Sequence, residues 1–432
     1  MALNDNDRSI AGFTMTGHAL VHWFETSIPI FLVVWLAEFD AGVARLGLVV
    51  AIGYALFGVG ALPGGTLADR FGPKRLVLWC LTGMSLSFVV LAFATSVTGI
   101  AVGLLLWGAA ASVYHPAGLA LISTGVEDRG TVFAWHGIAG NVGIALGPFV
   151  VATLLIVLEW HLVAAVLALP GLAAVAVGLR AEFDPTAAVE GDDPAGEATA
   201  DASEPLSLRD FLSNSRALFA SAFLLVFVLV TFEGLYYRGM LTYLPEILHG
   251  LSATDGLPLP SGLEGIEPSH YIYVGLLIVG MAGQYAGGKL TDRIDPGRGL
   301  ATIFAALVVL AVAFVPVTTT LGGNLGAIVA LCAVFGFFLF AIQPFYQNAV
   351  AVYTPADTRG LSYGYTYLGE FGLGSASIAI GGFLLEGYST TAFFLVVAGF
   401  ALVGTALATG LLFGLDRVLA GPRPGASEAV DD

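Results

Sequence analysis

The sequence predicts an all-α integral membrane protein whose twelve transmembrane helices form two pseudo-symmetric six-helix bundles. Three observations lead there. The 432-residue chain is 57% hydrophobic and 11% charged, too little polar surface for a water-soluble helical protein. Apolar runs of about 20 residues, the helix length that crosses roughly 30 Å of hydrocarbon, recur about twelve times. A charged, glycine-bearing turn, Gly65-Thr66-Leu67-Ala68-Asp69-Arg70-Phe71-Gly72-Pro73-Lys74-Arg75, returns altered as Gly288-Lys289-Leu290-Thr291-Asp292-Arg293-Ile294-Asp295-Pro296-Gly297-Arg298, 223 residues later.

The first six runs lie near 15–38, 44–66, 76–97, 98–124, 131–157 and 161–180. Span one carries His18, His22, Glu25 and Pro29 at spacings of 4, 3 and 4, one stripe of an α-helix. Span two runs into the Asp69-Arg70 turn. Span four contains Ser112-Val113-Tyr114-His115-Pro116. On span five His136, Gly140, Gly143 and Gly147 repeat the 4, 3, 4 spacing. Small residues on one face admit a neighbouring helix closely, and Pro148 adds a kink.

Residues 181–213 hold nine acidic residues and one Arg among Pro, Gly and Ala, a composition expected to form a flexible linker. Six further runs follow near 217–247, 270–290, 299–320, 323–350, 361–385 and 391–415. They carry Glu233, Tyr237 and Arg238 on span seven, Gln343, Gln347 and Asn348 on span ten, and Glu370 on span eleven. The expected domains are 1–180, the linker 181–213, 214–418 and a tail at 419–432.

The halves match beyond the turns. Glu25 and Trp35-Leu36-Ala37-Glu38 correspond to Glu233 and Tyr243-Leu244-Pro245-Glu246 at an offset of 208. Glu127-Asp128-Arg129-Gly130 corresponds to Asp357-Thr358-Arg359-Gly360, and Gly140 and Gly143 to Gly369 and Gly372.

Charge placement predicts orientation. With a cytoplasmic N-terminus, 14 of the 16 Lys and Arg fall on inner loops, inner helix ends or tails, a strong positive-inside bias. The expectation is a multi-pass plasma-membrane protein with both termini cytoplasmic. A net charge of −16 argues against nucleic acid as a partner. Two Lys against fourteen Arg, with the acidic excess, suggests a halophile's high-salt proteome. Cys80 and Cys332 lie within apolar spans, so neither a disulfide framework nor a metal-ligand spacing is expected. Without a phosphate-binding Gly-Lys-Ser/Thr loop, ATP-driven pumping is unsupported. No cofactor and no enzymatic role are expected, and the chain reads as a monomer in the bilayer.

These motifs resemble the major facilitator superfamily. Gly65, Asp69, Arg70, Gly72, Lys74 and Arg75 fit its loop signature. The second copy keeps Gly288, Asp292, Arg293 and Arg298 but has Asp295 where Gly stood. Ser112–Pro116 and Gly140-Asn141-Val142-Gly143, with Gly147-Pro148, resemble the fosmidomycin-resistance branch. The Gly147-Pro148 element also resembles part of an antiporter signature, although Val150 and Val151 stand near its second Gly pair. The resemblance implies that spans one, four, seven and ten line a central cavity, with the substrate site at the repeat interface.

An ionised side chain at the bilayer centre costs roughly 2.5–3.5 kcal/mol on insertion scales, so one that persists usually faces a cavity or a partner. The expected proton-coupling residues are His22, Glu25 and Glu233, since a carboxyl tuned by burial and a neighbouring cation can load and release a proton, and histidine titrates near neutral pH. The expected substrate-binding residues are Tyr114, His115, Tyr237, Arg238, Gln343 and Gln347, with Arg238 countering negative charge in the substrate. Asp69, Arg70, Arg75, Asp292 and Arg293 are expected to gate one face by pairing with nearby helix ends and carboxylates. Glu370 could be a second proton site or could pair with His136. The resulting reading is a secondary transporter of a small polar solute that works by alternating access, with proton-coupled efflux by antiport favoured. Import, uniport and a non-transporting sensor are the alternatives.

Overall fold

The computed structural model describes residues 3–188, 208–254, 266–354 and 359–414. All of its regular structure is helical. The first half comprises α1 (Asp5–Glu38), α2 (Val43–Val59), α3 (Ala61–Phe71), α4 (Pro73–Ala92), α5 (Val97–Ala111), α6 (Tyr114–Gly125), α7 (Arg129–Leu154) and α8 (Trp160–Arg180). The second comprises α9 (Leu208–Phe219), α10 (Phe223–His249), α11 (Pro268–Thr291), α12 (Pro296–Thr319), α13 (Leu325–Tyr353), α14 (Arg359–Tyr367), α15 (Ala376–Gly387) and α16 (Thr390–Leu412).

Among the described residues, ten segments are long and apolar enough to cross a membrane, and the bent pair α2–α3, angled at 48°, makes an eleventh. The twelfth is α11, 24 residues long, whose apolar run is diluted by His270, Tyr271, Gln284 and Tyr285. The twelve-helix, two-bundle architecture therefore stands.

Three spans are interrupted. Span two bends at Gly60, where a Cβ would lie 2.3 Å from Ser112 Oγ. Span four breaks at Ser112-Val113 between α5 and α6, where Pro116 cannot donate a backbone hydrogen bond into the preceding turn. Span eleven joins α14 to α15 through a π-helical turn, Leu368–Leu373, a geometry that recurs at functional sites.

The two charged turns have different local chemistry. Gly72 sits at φ +82° between α3 and α4, with Pro73 opening α4; a side chain is disfavoured there. In the second copy Asp295 has φ −52° and caps α12, its carboxylate accepting from Arg298 N at 3.1 Å. The change from Gly to Asp exchanges a left-handed turn for a side-chain N-cap.

The glycine stripe of α7 packs on α1 as its spacing predicts. A Cβ on Gly143 would lie 2.0 Å from Ala19 O, and one on Gly147 2.4 Å from Trp23 O. Only hydrogen fits between these backbones.

The halves meet tightly at the face opposite the Asp-Arg turns. Ala44 N donates to Glu386 Oε2 at 2.8 Å, and Tyr271 of α11 lies 3.4 Å through its hydroxyl from Thr153 Oγ of α7. A Cβ on Gly47 would lie 2.0 Å from the Tyr243 hydroxyl. Near the turn face, α3 rests on α14 at Leu62 and Gly364.

Candidate functional site

At mid-span the two halves share a buried charge network. α1 contributes Glu25 and His22, α10 contributes Glu233 and Arg238, the π turn contributes Glu370, and α13 contributes Tyr346. Arg238 Nη1 donates to Glu25 Oε1, an ion pair across the two halves. The other Glu25 oxygen accepts from His22 Nδ1 at 2.6 Å. Glu370 Oε1 lies 4.0 Å from Arg238 Nη2, and its Oε2 accepts from the Tyr346 hydroxyl at 2.8 Å. The guanidinium also lies 3.9 Å from the Phe371 ring centre and 4.9 Å from that of Tyr237, cation–π contacts strengthened by desolvation.

Glu233 differs from the other two carboxyls. It is 2% exposed, and neither of its oxygens has a hydrogen-bond partner among the described residues. The seam thus buries three carboxyls and one guanidinium. Fully ionised, it would carry two uncompensated negative charges, each costly in a low-dielectric interior. Beside the ion pair lies a small cavity lined by Glu25, Pro29, Tyr54, Tyr237, Arg238 and Tyr273.

A second cluster adjoins the first. His18 Nδ1 donates to His136 O at 2.7 Å, and the His18 ring stacks on His136 with centroids 3.8 Å apart. His22 Nε2 faces His18 Nε2 at 3.1 Å. His115, from α6, brings its ring to 5.2 Å from His18 and 5.6 Å from His22, and Tyr367 of the other half stacks on it at 4.7 Å. The i, i+4 spacing of His18 and His22 was visible in the sequence; the approach of His115 and His136 depends on the packing of α1 against α6 and α7.

The expected site residues fall unequally. His22, Glu25, Glu233, His115, Tyr237 and Arg238 come together at the seam. Tyr114 is fully buried, and its hydroxyl donates to Thr14 O and lies 3.2 Å from His136 Nε2. In this conformation it braces α6 against α1 and α7. In this conformation the Arg238 charge is paired with Glu25, with Glu370 at 4.0 Å. Glu370 meets Tyr346 and Arg238, not His136. Gln343 is half-buried and Gln347 exposed on α13, and neither hydrogen-bonds to the cluster.

The expected gate residues Asp69, Arg70, Arg75, Asp292 and Arg293 are exposed and form no ion pair among the described residues. The clasp is not made in this conformation. Lys74 instead donates to Ala181 O and lies 5.1 Å from the Phe183 ring centre. The start of the expected linker is tied back as well: Asn6 Oδ1 accepts from Asp184 N at 2.8 Å, and Ala188 N donates to Thr124 O at 3.0 Å. The Asp184 carboxylate, which accepts from Thr186 N and Oγ at 2.8 Å, is held below the usual carboxylate range by those bonds. The rest of the linker at 189–207, the matched Asp357-Thr358 and the tail from 415 lie outside the described residues.

Tyr54, Tyr273 and Tyr346 belong to the site and were not picked out from sequence, where tyrosines in apolar runs carry no periodic signal; His136 was, from its register with the glycine stripe.

Two helical bundles sealed around a buried, mixed-charge seam define a membrane-transport architecture. Residues 14–379 match the family model of the Major Facilitator Superfamily, and the chain belongs to that superfamily of membrane transporters. It is 32% identical over 124 residues to an uncharacterised MFS-type transporter, YqjV, of Bacillus subtilis, covering 28% of this chain and 30% of that protein. It is 33% identical over 133 residues to a Na(+), Li(+), K(+)/H(+) antiporter of Planococcus maritimus, covering 29% and 31%. The matches thus span about a third of each curated relative. The fold is similar to the crystal structure of the nucleoside transporter NupG, with a TM-score of 0.73, 15% identity, and coverage of 93% of this chain and 99% of that one.

Proposed function

We propose that this chain is a proton-coupled secondary transporter that exports a small polar solute by antiport across the plasma membrane, its bundles at 1–180 and 214–418 alternating about the buried seam. The observation that carries the reading is Glu233, buried in the membrane interior with both oxygens unpartnered among the described residues, in a seam whose arginine pairs with Glu25 and lies 4.0 Å from Glu370. A proton on Glu233, and a second on Glu370, would cancel the excess negative charge. Deprotonation would create a charge that burial resists, coupling proton loss to opening of the seam. In this scheme Glu25 and Arg238 form the latch between the halves, and His22 holds the latch carboxylate in place.

The positive-inside distribution supports an orientation with the Asp-Arg turns and both termini in the cytoplasm. The seam is sealed at the opposite face, so this conformation would be closed to the outside, with the Asp69 and Asp292 turns released. Antiport draws support from the partial Gly147-Pro148 signature and from the relative named as a cation/proton antiporter. The Ser112–Pro116 and Gly140–Pro148 motifs support a place in the fosmidomycin-resistance-like branch. The aromatic and mixed-charge lining favours a polar or zwitterionic solute over a bulky lipophilic cation.

A thermal-shift screen of purified protein against anions, sugars, amino acids and antibiotics would supply a ligand. Counterflow and uphill flux of that ligand in proteoliposomes, with and without a pH gradient, then test the coupling. Uphill flux against the proton gradient supports antiport. Flux indifferent to the gradient would reduce the protein to a uniporter, and absence of flux for any bound ligand would favour a sensor.

A further inference from the structure

We infer that His18, His22 and His115 form a binding site for one divalent transition-metal ion of the zinc class. One nitrogen from each ring can be chosen so that all three lie within 4.8 Å of one another. The hydrogen bonds then fix which atoms are free to ligate. His18 Nδ1 faces a backbone carbonyl, His136 O, which can only accept, so this nitrogen carries the proton. His22 Nδ1 faces the Glu25 carboxylate, which also accepts from Arg238, so it too carries the proton. With both rings neutral, both Nε2 atoms are left with lone pairs, and they face each other at 3.1 Å.

Two lone pairs at that distance repel unless a cation lies between them. Zn–N bonds of about 2.0–2.1 Å in tetrahedral geometry place neighbouring ligand nitrogens roughly 3.3 Å apart, so the His18–His22 pair already has the spacing of two zinc ligands. His115 supplies the third ligand by a small ring shift, and its Nδ1 is buried without a hydrogen-bond partner among the described residues.

The surroundings are those of a metal site. A metal-bound imidazole commonly donates its other nitrogen to a carboxylate or backbone carbonyl, which fixes its tautomer and orientation. His22 has Glu25, and His18 has the His136 carbonyl. Imidazole donors suit Zn, Co, Ni and Cu over Mg or Ca. Three protein ligands leave a fourth position for water or a ligand, as in open zinc sites. His18 and His22 are half-buried, and His115 is buried. The chain shows no metal-ligand spacing because the third ligand lies 93 residues from the second and arrives only through the packing of α6 on α1.

The test uses tag-free, full-length protein in detergent, stripped with chelator and titrated calorimetrically with zinc chloride and, in parallel, followed optically with Co2+. One equivalent should bind, and His18→Ala and His115→Ala should each weaken binding by more than about 100-fold, beyond the typical effect of losing an outer-shell partner. His161→Ala, remote from the cluster, should leave it unchanged. Should the cluster variants fail to fold, the wild-type Co2+ spectrum decides: intense four-coordinate bands without thiolate charge transfer are expected. No binding to folded wild-type protein, binding undiminished in folded cluster variants, or an octahedral or thiolate spectrum would overturn the assignment. In the first case the 3.1 Å nitrogen pair would be left to a shared proton.

Discussion

Removing Arg238 should harm this protein more than removing either carboxylate partner, and the asymmetry can be worked from the seam. Glu25→Gln takes away one anion but leaves Arg238 with Glu370 at 4.0 Å and with the Phe371 ring at 3.9 Å. The guanidinium remains partly compensated, so the loss should be that of one charged hydrogen bond, about 1.5–3 kcal/mol. Arg238→Gln removes the one cationic side chain, histidines aside, and leaves Glu25, Glu233 and Glu370 buried together. Breaking a buried pair in this way costs about 3–5 kcal/mol. The double variant Glu25→Gln/Arg238→Gln should recover part of that loss, because one of the stranded anions is gone.

Cys80 and Cys332 make a native assay for this comparison. Each is 1% exposed, one in α4 and one in α13, so a thiol-reactive fluorophore reports unfolding of both halves in detergent. At about 2–4 °C per kcal/mol for units of roughly this size, the two single variants should melt several degrees apart, with Arg238→Gln lower and the double variant between them. If Glu25→Gln melts as low as Arg238→Gln, or the double variant lowest of all, Arg238 is not the shared counter-ion of the seam.

Other consequences are simpler to read. Gly143→Ala puts a methyl against Ala19 O at 2.0 Å and should cost about 1–3 kcal/mol as overpacking, whereas Gly137→Ala, with nothing within 4 Å, should be neutral or slightly stabilising; the same melting assay checks both. Gly72→Ala should destabilise through its positive φ, and Asp295→Ala should cost about 0.5–2 kcal/mol through the lost cap, while Asp295→Gly should cost only a few tenths. If the turns gate the cytoplasmic face, Asp69→Asn should shift the inward–outward balance more than Asp292→Asn, read by labelling single cysteines introduced on the two faces. Equal shifts would reduce the turns to topology anchors.

The architecture was legible because hydrocarbon imposes a length. Twelve apolar runs and two copies of one turn are properties of local sequence, and the α1–α7 packing follows from a glycine stripe with helical spacing. The interruptions were less legible. At the bend of span two, position 60 has no room for a side chain because Ser112, 52 residues later, occupies that space. The π turn around Glu370 changes which way its carboxyl points, and no periodicity announces it. At the site, Glu25, His22 and Arg238 stood out singly as ionisable groups in apolar runs. Their partnership across two halves, the exclusion of Glu233 from it, and the inward packing of Tyr114 depend on contacts between residues tens to hundreds of positions apart. Such contacts leave no mark on a single sequence.

Glu233→Gln in proteoliposomes loaded with a ligand found by thermal shift tests whether Glu233 carries the coupling proton. Glutamine keeps the shape of the protonated acid and cannot release its proton. Counterflow exchange should persist near the wild-type rate, while uphill flux driven by a pH gradient should vanish. Gradient-driven flux that survives the substitution would contradict the account.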